Sequence, residues 1–171
     1  MKTVIKYTAT IALSSLLVAC GSGAANKPTE SSANPTSAQE VQKTGTSVMA
    51  PIPQSGGYSN IDNAQLEQMM KKGIPLIDIR LKEEWQQTGI VKGAKTITFF
   101  TRNGSINPNF VPEFKAITKA DQPVALMCRT GNRTRAASQA IAQQLGYKKI
   151  YNVTHGITGW IAEKRPVVPY K

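Results

Sequence analysis

Apolar positions in this chain recur with two periods that alternate along its length, one of strands and one of helices. Tyr58-Ser59-Asn60-Ile61 reads as a weak strand. Asp62 then suits a helix N-cap, with Gln65 three residues on as its capping-box partner. Leu66, Met69 and Met70 share one helical face, and Gly73 stops that helix. Pro75 to Ile79 is a buried strand ending near Asp78, and Lys82 to Gln87 is a short helix. Lys95 to Phe99 reads as a further strand. Arg102 to Pro112 reads as loop, followed by a helical turn or two at Glu113 to Ile117. Pro123 to Met127 is apolar throughout, as a central parallel strand is. Ala137, Ala140, Ile141 and Leu145 line one face of a helix from about Arg133 to Leu145, ended by Gly146. Lys149 to Val153 is the last strand, and Gly159 to Lys164 a short closing helix.

Alternating strands and helices predict an α/β fold, a small parallel sheet with helices on both faces. Ligands in such folds sit beyond the carboxyl ends of the strands. Asp78-Ile79-Arg80, Cys128 and Thr154-His155-Gly156 all fall at such ends.

The N-terminal third has a different pattern. Lys2 and Lys6 precede an apolar stretch, Tyr7 to Ala19, that is too short for a comfortable membrane span. It ends in Leu17-Val18-Ala19-Cys20-Gly21, which resembles a bacterial lipoprotein signal. That resemblance implies cleavage before Cys20, lipidation of its sulfur and anchoring by the acyl chains. Gly21, where some such proteins carry Asp, implies the periplasmic face of the outer membrane. Ser22 to about Ser55 is rich in Ser, Thr, Ala, Asn, Pro and Gln without apolar periodicity. It reads as a flexible tether. The expected organisation is therefore a signal over 1–19, a lipidated Cys and tether over 20–55, and one domain over 56–171. Roughly 115 residues suffice for one hydrophobic core.

Hydrophobic residues make up 40% and charged residues 18%, the balance of a globular chain. The net charge of +11 falls to about +9 once Lys2 and Lys6 are removed, which favours anionic surfaces or substrates. The basic residues are scattered and not interleaved with aromatics, so no nucleic acid is expected as partner. With one His, and Cys20 committed to lipid, neither a metal site nor a cofactor is expected, nor an internal disulfide.

The candidate chemistry is concentrated in Cys128-Arg129-Thr130-Gly131-Asn132-Arg133-Thr134, between the central strand and the long helix. A loop in this place turns backbone N–H groups inward beside a helix N-terminus, an arrangement that binds anions and stabilises a thiolate. Arg129 and Arg133 add positive charge, and Gly131 permits the turn. The Thr134 hydroxyl stands where it caps the helix or bonds the sulfur.

This loop resembles the active-site loop of the rhodanese family, Cys-Arg-x-Gly-x-Arg-Ser/Thr. Leu76 to Arg80 resembles that family's strand ending in Asp-Val-Arg. Glu84 with Gly89 to Ala94 resembles its Glu…Gly-His-Ile-Pro-Gly-Ala segment, here without the His. His155-Gly156 with Trp160 resembles its Gly-Gly…Trp, with His155 in place of the first Gly. The resemblance spans roughly 58–165 and implies a sulfurtransferase of the thiosulfate type. Cys128 would be the catalytic nucleophile, carrying sulfur as a persulfide. Residues Arg129 to Thr134 would bind a small anionic sulfur donor, with Asp78 and Arg80 in support. A thiol, cyanide or a thioredoxin-like protein would accept the sulfur, and a monomer is expected. Phosphatase relatives of the fold carry five residues between Cys and Arg, whereas four separate Cys128 from Arg133 here, a cradle suited to a single sulfur. The alternative is a non-catalytic module that binds partners or presents a persulfide.

Overall fold

The computed structural model describes residues 49–171. The signal expected at 1–19, the lipidation site Cys20 and most of the expected tether lie outside the described residues.

The elements run β1 (Ile52–Pro53), β2 (Ser59–Ile61), α1 (Asn63–Lys71), β3 (Leu76–Asp78), α2 (Lys82–Thr88), β4 (Lys95–Thr96), α3 (Phe110–Ile117), β5 (Val124–Met127), α4 (Asn132–Leu145), β6 (Ile150–Val153) and α5 (Gly156–Ala162). Six strands form one sheet in the order β1-β2-β6-β5-β3-β4. Every neighbouring pair is parallel except β1 with β2. The α/β architecture predicted from the alternating periods is the one observed.

The sheet divides the core in two. Along β5, Val124 and Leu126 join Phe110, Phe114, Ala137 and Ile141 of α3 and α4. Ala125 and Met127 point the other way and join Leu66 of α1 with Ile157 and Trp160 of α5. The alternation follows from the two-residue side-chain period of a strand. Cys128, next after Met127, falls on the α4 side. The capping box of α1 is as expected: the Gln65 amide donates to Asp62 Oδ1 at 2.7 Å, and the Asp62 amide donates to Gln65 Oε1 at 2.7 Å.

The structure departs from the sequence reading in four places. The expected tether reaches too far, because Ile52 and Pro53 pair antiparallel with Asn60 and Ser59. A two-residue strand carrying a proline has no periodicity to read, and proline is tolerated at a sheet edge. The loop expected over 102–112 ends early, since α3 starts at Phe110 and holds Pro112 in its first turn. Amides of a first turn have no partner within the helix, so proline costs nothing there. The strand expected over 95–99 is regular only at Lys95–Thr96. Beyond it, the amides of Ile97 and Phe99 still donate to Asp78 O and Ile79 O at 3.0 and 3.1 Å. The closing helix begins at Gly156, three residues early, and ends at Ala162.

Candidate active site

Cys128 follows β5 directly and sits beneath the start of α4. Its side chain is buried, and it is the free cysteine of the described residues. The Gly131 amide donates to its sulfur at 3.2 Å, and the Thr134 hydroxyl lies 3.4 Å away.

The loop is shaped by its carbonyls. Cys128 O accepts from the Ile157 amide at 2.9 Å, and Arg129 O from the Thr158 amide at 3.1 Å, both at the first turn of α5. In a trans peptide the C=O and the following N–H point in opposite directions. Drawing these two carbonyls toward α5 therefore turns the amides of Arg129 and Thr130 away from it, into the cradle. Two glycines allow so close an approach. Gly131 has φ +88°, and a Cβ there would lie 2.0 Å from Thr154 O. Gly156 has φ +54°, and a Cβ there would lie 2.3 Å from Cys128 O. Neither position admits a side chain without displacing backbone.

Thr134 does not cap α4. Gly131 is the N-cap residue, and Thr134 stands in the first turn facing inward. Its hydroxyl lies 2.6 Å from Asn152 Oδ1 and 3.0 Å from Gly131 O. One hydroxyl proton serves these acceptors and the sulfur, so it can turn to a thiolate when one forms. Asn152 in turn donates from Nδ2 to Asn60 Oδ1 at 2.9 Å, linking β6 to β2 beneath the sulfur.

Asp78 and Arg80 form a fully buried ion pair. Arg80 Nε reaches Asp78 Oδ1 at 2.9 Å and Oδ2 at 3.0 Å, and Nη2 reaches Oδ2 at 2.7 Å. The rest of the guanidinium holds the end of α2: Nη1 donates to Thr88 Oγ1 at 2.7 Å and Glu84 O at 3.2 Å, and Nη2 donates to Gly89 O at 2.8 Å. The pair thus supports the site by fixing α2, and leaves no group free for proton transfer.

The loop sequence predicts added positive charge at the sulfur from Arg133. Its charge is instead compensated. Nη1 and Nη2 grip Glu84 Oε2 and Oε1 at 2.7 and 2.6 Å. Glu84 Oε2 also accepts from the Leu81 amide at 3.1 Å, closing the start of α2. Burial pushes the Glu84 carboxyl up, but hydrogen bonds from Arg133 and Leu81, with the charges of Arg133 and Arg80, outweigh it and hold the pKa below its ordinary value. The hydrogen bond with Glu84 raises Arg133 against its own desolvation, and the nearby Cys128 sulfur adds to the rise.

Arg129, Thr130 and Asn132 are exposed on the loop and the first residue of α4. Among the described residues Arg129 has no carboxylate within ion-pair distance. It borders a cleft of about 150 Å³ between α2 and α5, lined also by Glu84, Gln87, Thr88, Ile157, Thr158 and Ile161. The structure thus gathers Cys128, Arg129 to Thr134, Asp78 and Arg80 around the neighbouring ends of β3 and β5. The exposed side chain of His155 precedes α5. Sequence reasoning placed Gly156 at a strand end but missed its close approach to Cys128 O, and it missed Asn152 and the first turn of α5. Asn152 had a signal, an amide inside the otherwise apolar-rich strand Ile-Tyr-Asn-Val.

A family model described as a rhodanese-like domain matches residues 62–163. The chain belongs to the rhodanese-like domain family. An uncharacterized protein of Rickettsia prowazekii is 35% identical over 88 residues, covering 49% of this chain and 69% of that protein. A protein of Arabidopsis thaliana named thiosulfate sulfurtransferase 18 is 24% identical over 114 residues, 63% of this chain and 82% of its own. Among solved structures, a protein of M. tuberculosis superimposes with a TM-score of 0.56 at 26% identity, covering 65% of this chain and 97% of that one. The matched residues include the whole loop from Cys128 to Thr134.

Proposed function

We propose that this protein is a sulfurtransferase that moves sulfane sulfur from a donor such as thiosulfate to a thiophilic acceptor through a persulfide on Cys128. The observation that carries this reading is the sulfur itself: it is buried, it receives the Gly131 amide at 3.2 Å, and the carbonyls of Cys128 and Arg129 are bonded to α5, which directs the amides that follow them away from α5. Such a cradle of N–H groups at a helix N-terminus stabilises negative charge without reorganising.

In the first step the Cys128 thiolate attacks the outer sulfur of thiosulfate. The new S–S bond forms as the old one breaks, and sulfite leaves with its electron pair. In the second step a thiol or cyanide takes the outer sulfur, and the thiolate returns. Splitting the transfer into two displacements is covalent catalysis, with the cradle holding the terminal persulfide anion between them. Lipidation at Cys20 would hold this chemistry at the cell envelope, on the outer side of the cytoplasmic membrane.

Thiosulfate-dependent formation of thiocyanate by the full chain, beside Cys128→Ser, tests the reading. Turnover that disappears in the variant is expected. Absence of turnover, with no gain of one sulfur atom in the mass of Cys128 under any donor, would favour a binding module instead.

A further inference from the structure

The charges around Cys128 are almost all cancelled in pairs. Asp78 neutralises Arg80, and Glu84 neutralises Arg133 through two parallel hydrogen bonds. Arg129 is the remaining cation of the cleft, and it is the residue next to Cys128 in the loop, whose thiolate would balance it. The reacting face is then close to neutral before any donor arrives. The electrostatic cost of bringing an anion into such a half-buried place rises with the square of its charge, and thiosulfate carries two. The cleft beside Arg129 also has apolar surface, from the exposed Ile161 on α5. Inorganic thiosulfate has no apolar part to cover it.

We propose that Glu84 is a specificity-determining residue: by holding Arg133, it tunes the site to monoanionic organic donors, R–S–S⁻ or R–SO₂–S⁻, over dianionic thiosulfate. This rests on the persulfide reading of Cys128. The organic group lies against Ile161, and the single negative charge faces Arg129. The chemistry balances without a further reactant. The thiolate displaces R–S⁻ or R–SO₂⁻ from the outer sulfur, the leaving group departs with the electrons of the broken S–S bond, and Cys128 becomes the persulfide anion. Arg133 keeps its place near the sulfur, but its pair with Glu84 brings no net charge.

The probe is methanethiosulfonate, which differs from thiosulfate by a methyl group in place of one charged oxygen. For the full chain, kcat/KM is measured with each donor and divided by the donor's rate with a small free thiol, which removes intrinsic reactivity. The wild-type protein is expected to favour methanethiosulfonate on this scale. Glu84→Gln keeps the shape and one acceptor oxygen but frees the charge of Arg133. A dianion gains one more charge–charge interaction from this than a monoanion. The variant is therefore expected to shift the donor ratio toward thiosulfate by on the order of 10-fold. A merely structural Glu84 would depress both donors alike. A wild-type preference for thiosulfate, or a donor ratio in Glu84→Gln within about 2-fold of wild type, overturns the proposal. Should Glu84→Gln not fold, the wild-type ratio decides alone. If neither donor leaves an added sulfur on Cys128, it is the persulfide reading that fails, and the proposal fails with it.

Discussion

Replacing Asp78 by Asn isolates the cost of an unpaired buried charge in this fold. Arg80 is 1% exposed and Asp78 0%, so water cannot take over from either partner. Asn keeps the volume and one acceptor, but it removes the negative charge and turns an NH₂ group toward the guanidinium that already donates there. Removing one partner of a buried ion pair costs about 3–5 kcal/mol, because the remaining charge stays desolvated. A domain of this size has only about 5–15 kcal/mol of stability, so Asp78→Asn removes a large part of it. In urea the unfolding midpoint should fall with an unchanged slope. The double variant Asp78→Leu with Arg80→Met removes both charges and should recover much of the loss, since apolar replacement of a buried pair is often close to neutral. The double variant should still react slowly, because Thr88, Gly89 and the Glu84 carbonyl lose the guanidinium that fixes α2. A loss below about 1 kcal/mol in Asp78→Asn, or a double variant less stable than the single one, would refute this reasoning.

Other consequences follow from single contacts. Thr134→Val removes the hydroxyl 3.4 Å from the sulfur and leaves Asn152 Oδ1 without its donor, so the rate of persulfide formation, followed by mass, should fall about 10- to 100-fold. Gly156→Ala places a methyl 2.3 Å from Cys128 O at φ +54°, and should cost about 2–4 kcal/mol in urea unfolding, with a larger loss of activity than of fold. The folded pKa of Glu84 lies below its unfolded value of about 4.3, so the stability it contributes is fully present above that value and is lost as pH falls through the folded one. The stability gap between wild type and Glu84→Gln should accordingly be wide at neutral pH and close in acid, as urea midpoints at the two extremes would read directly.

Much of the fold could be read from local pattern. The apolar run Val124–Met127, the capping box at Asp62 and the glycine after Leu145 are signals carried within a few residues, and the structure keeps each of them. The loop from Cys128 to Thr134 was legible for the same reason. Long-range relations were not. Glu84 and Arg133 are 49 positions apart, and no periodicity says that one neutralises the other. Gly156 could be seen as a glycine but not as the place where α5 touches the carbonyl of Cys128. Phe110 and Val111 gave no helix signal because Pro112 masks the first turn of α3.

The hold of α5 on the loop carbonyls also ties reactivity to the order of folding. The strand that delivers Cys128 is made well before Gly156, Ile157 and Thr158, whose backbone completes the cradle. Until α5 docks, the carbonyls of Cys128 and Arg129 lack the amides of Ile157 and Thr158 that hold the loop around the sulfur. Contacts across such a gap carry a larger loop-closure cost than those within α4. The same sulfur is thus an indiscriminate thiol early and a guarded one afterwards. Its rate of alkylation by a bulky reagent becomes a clock for the arrival of the last helix.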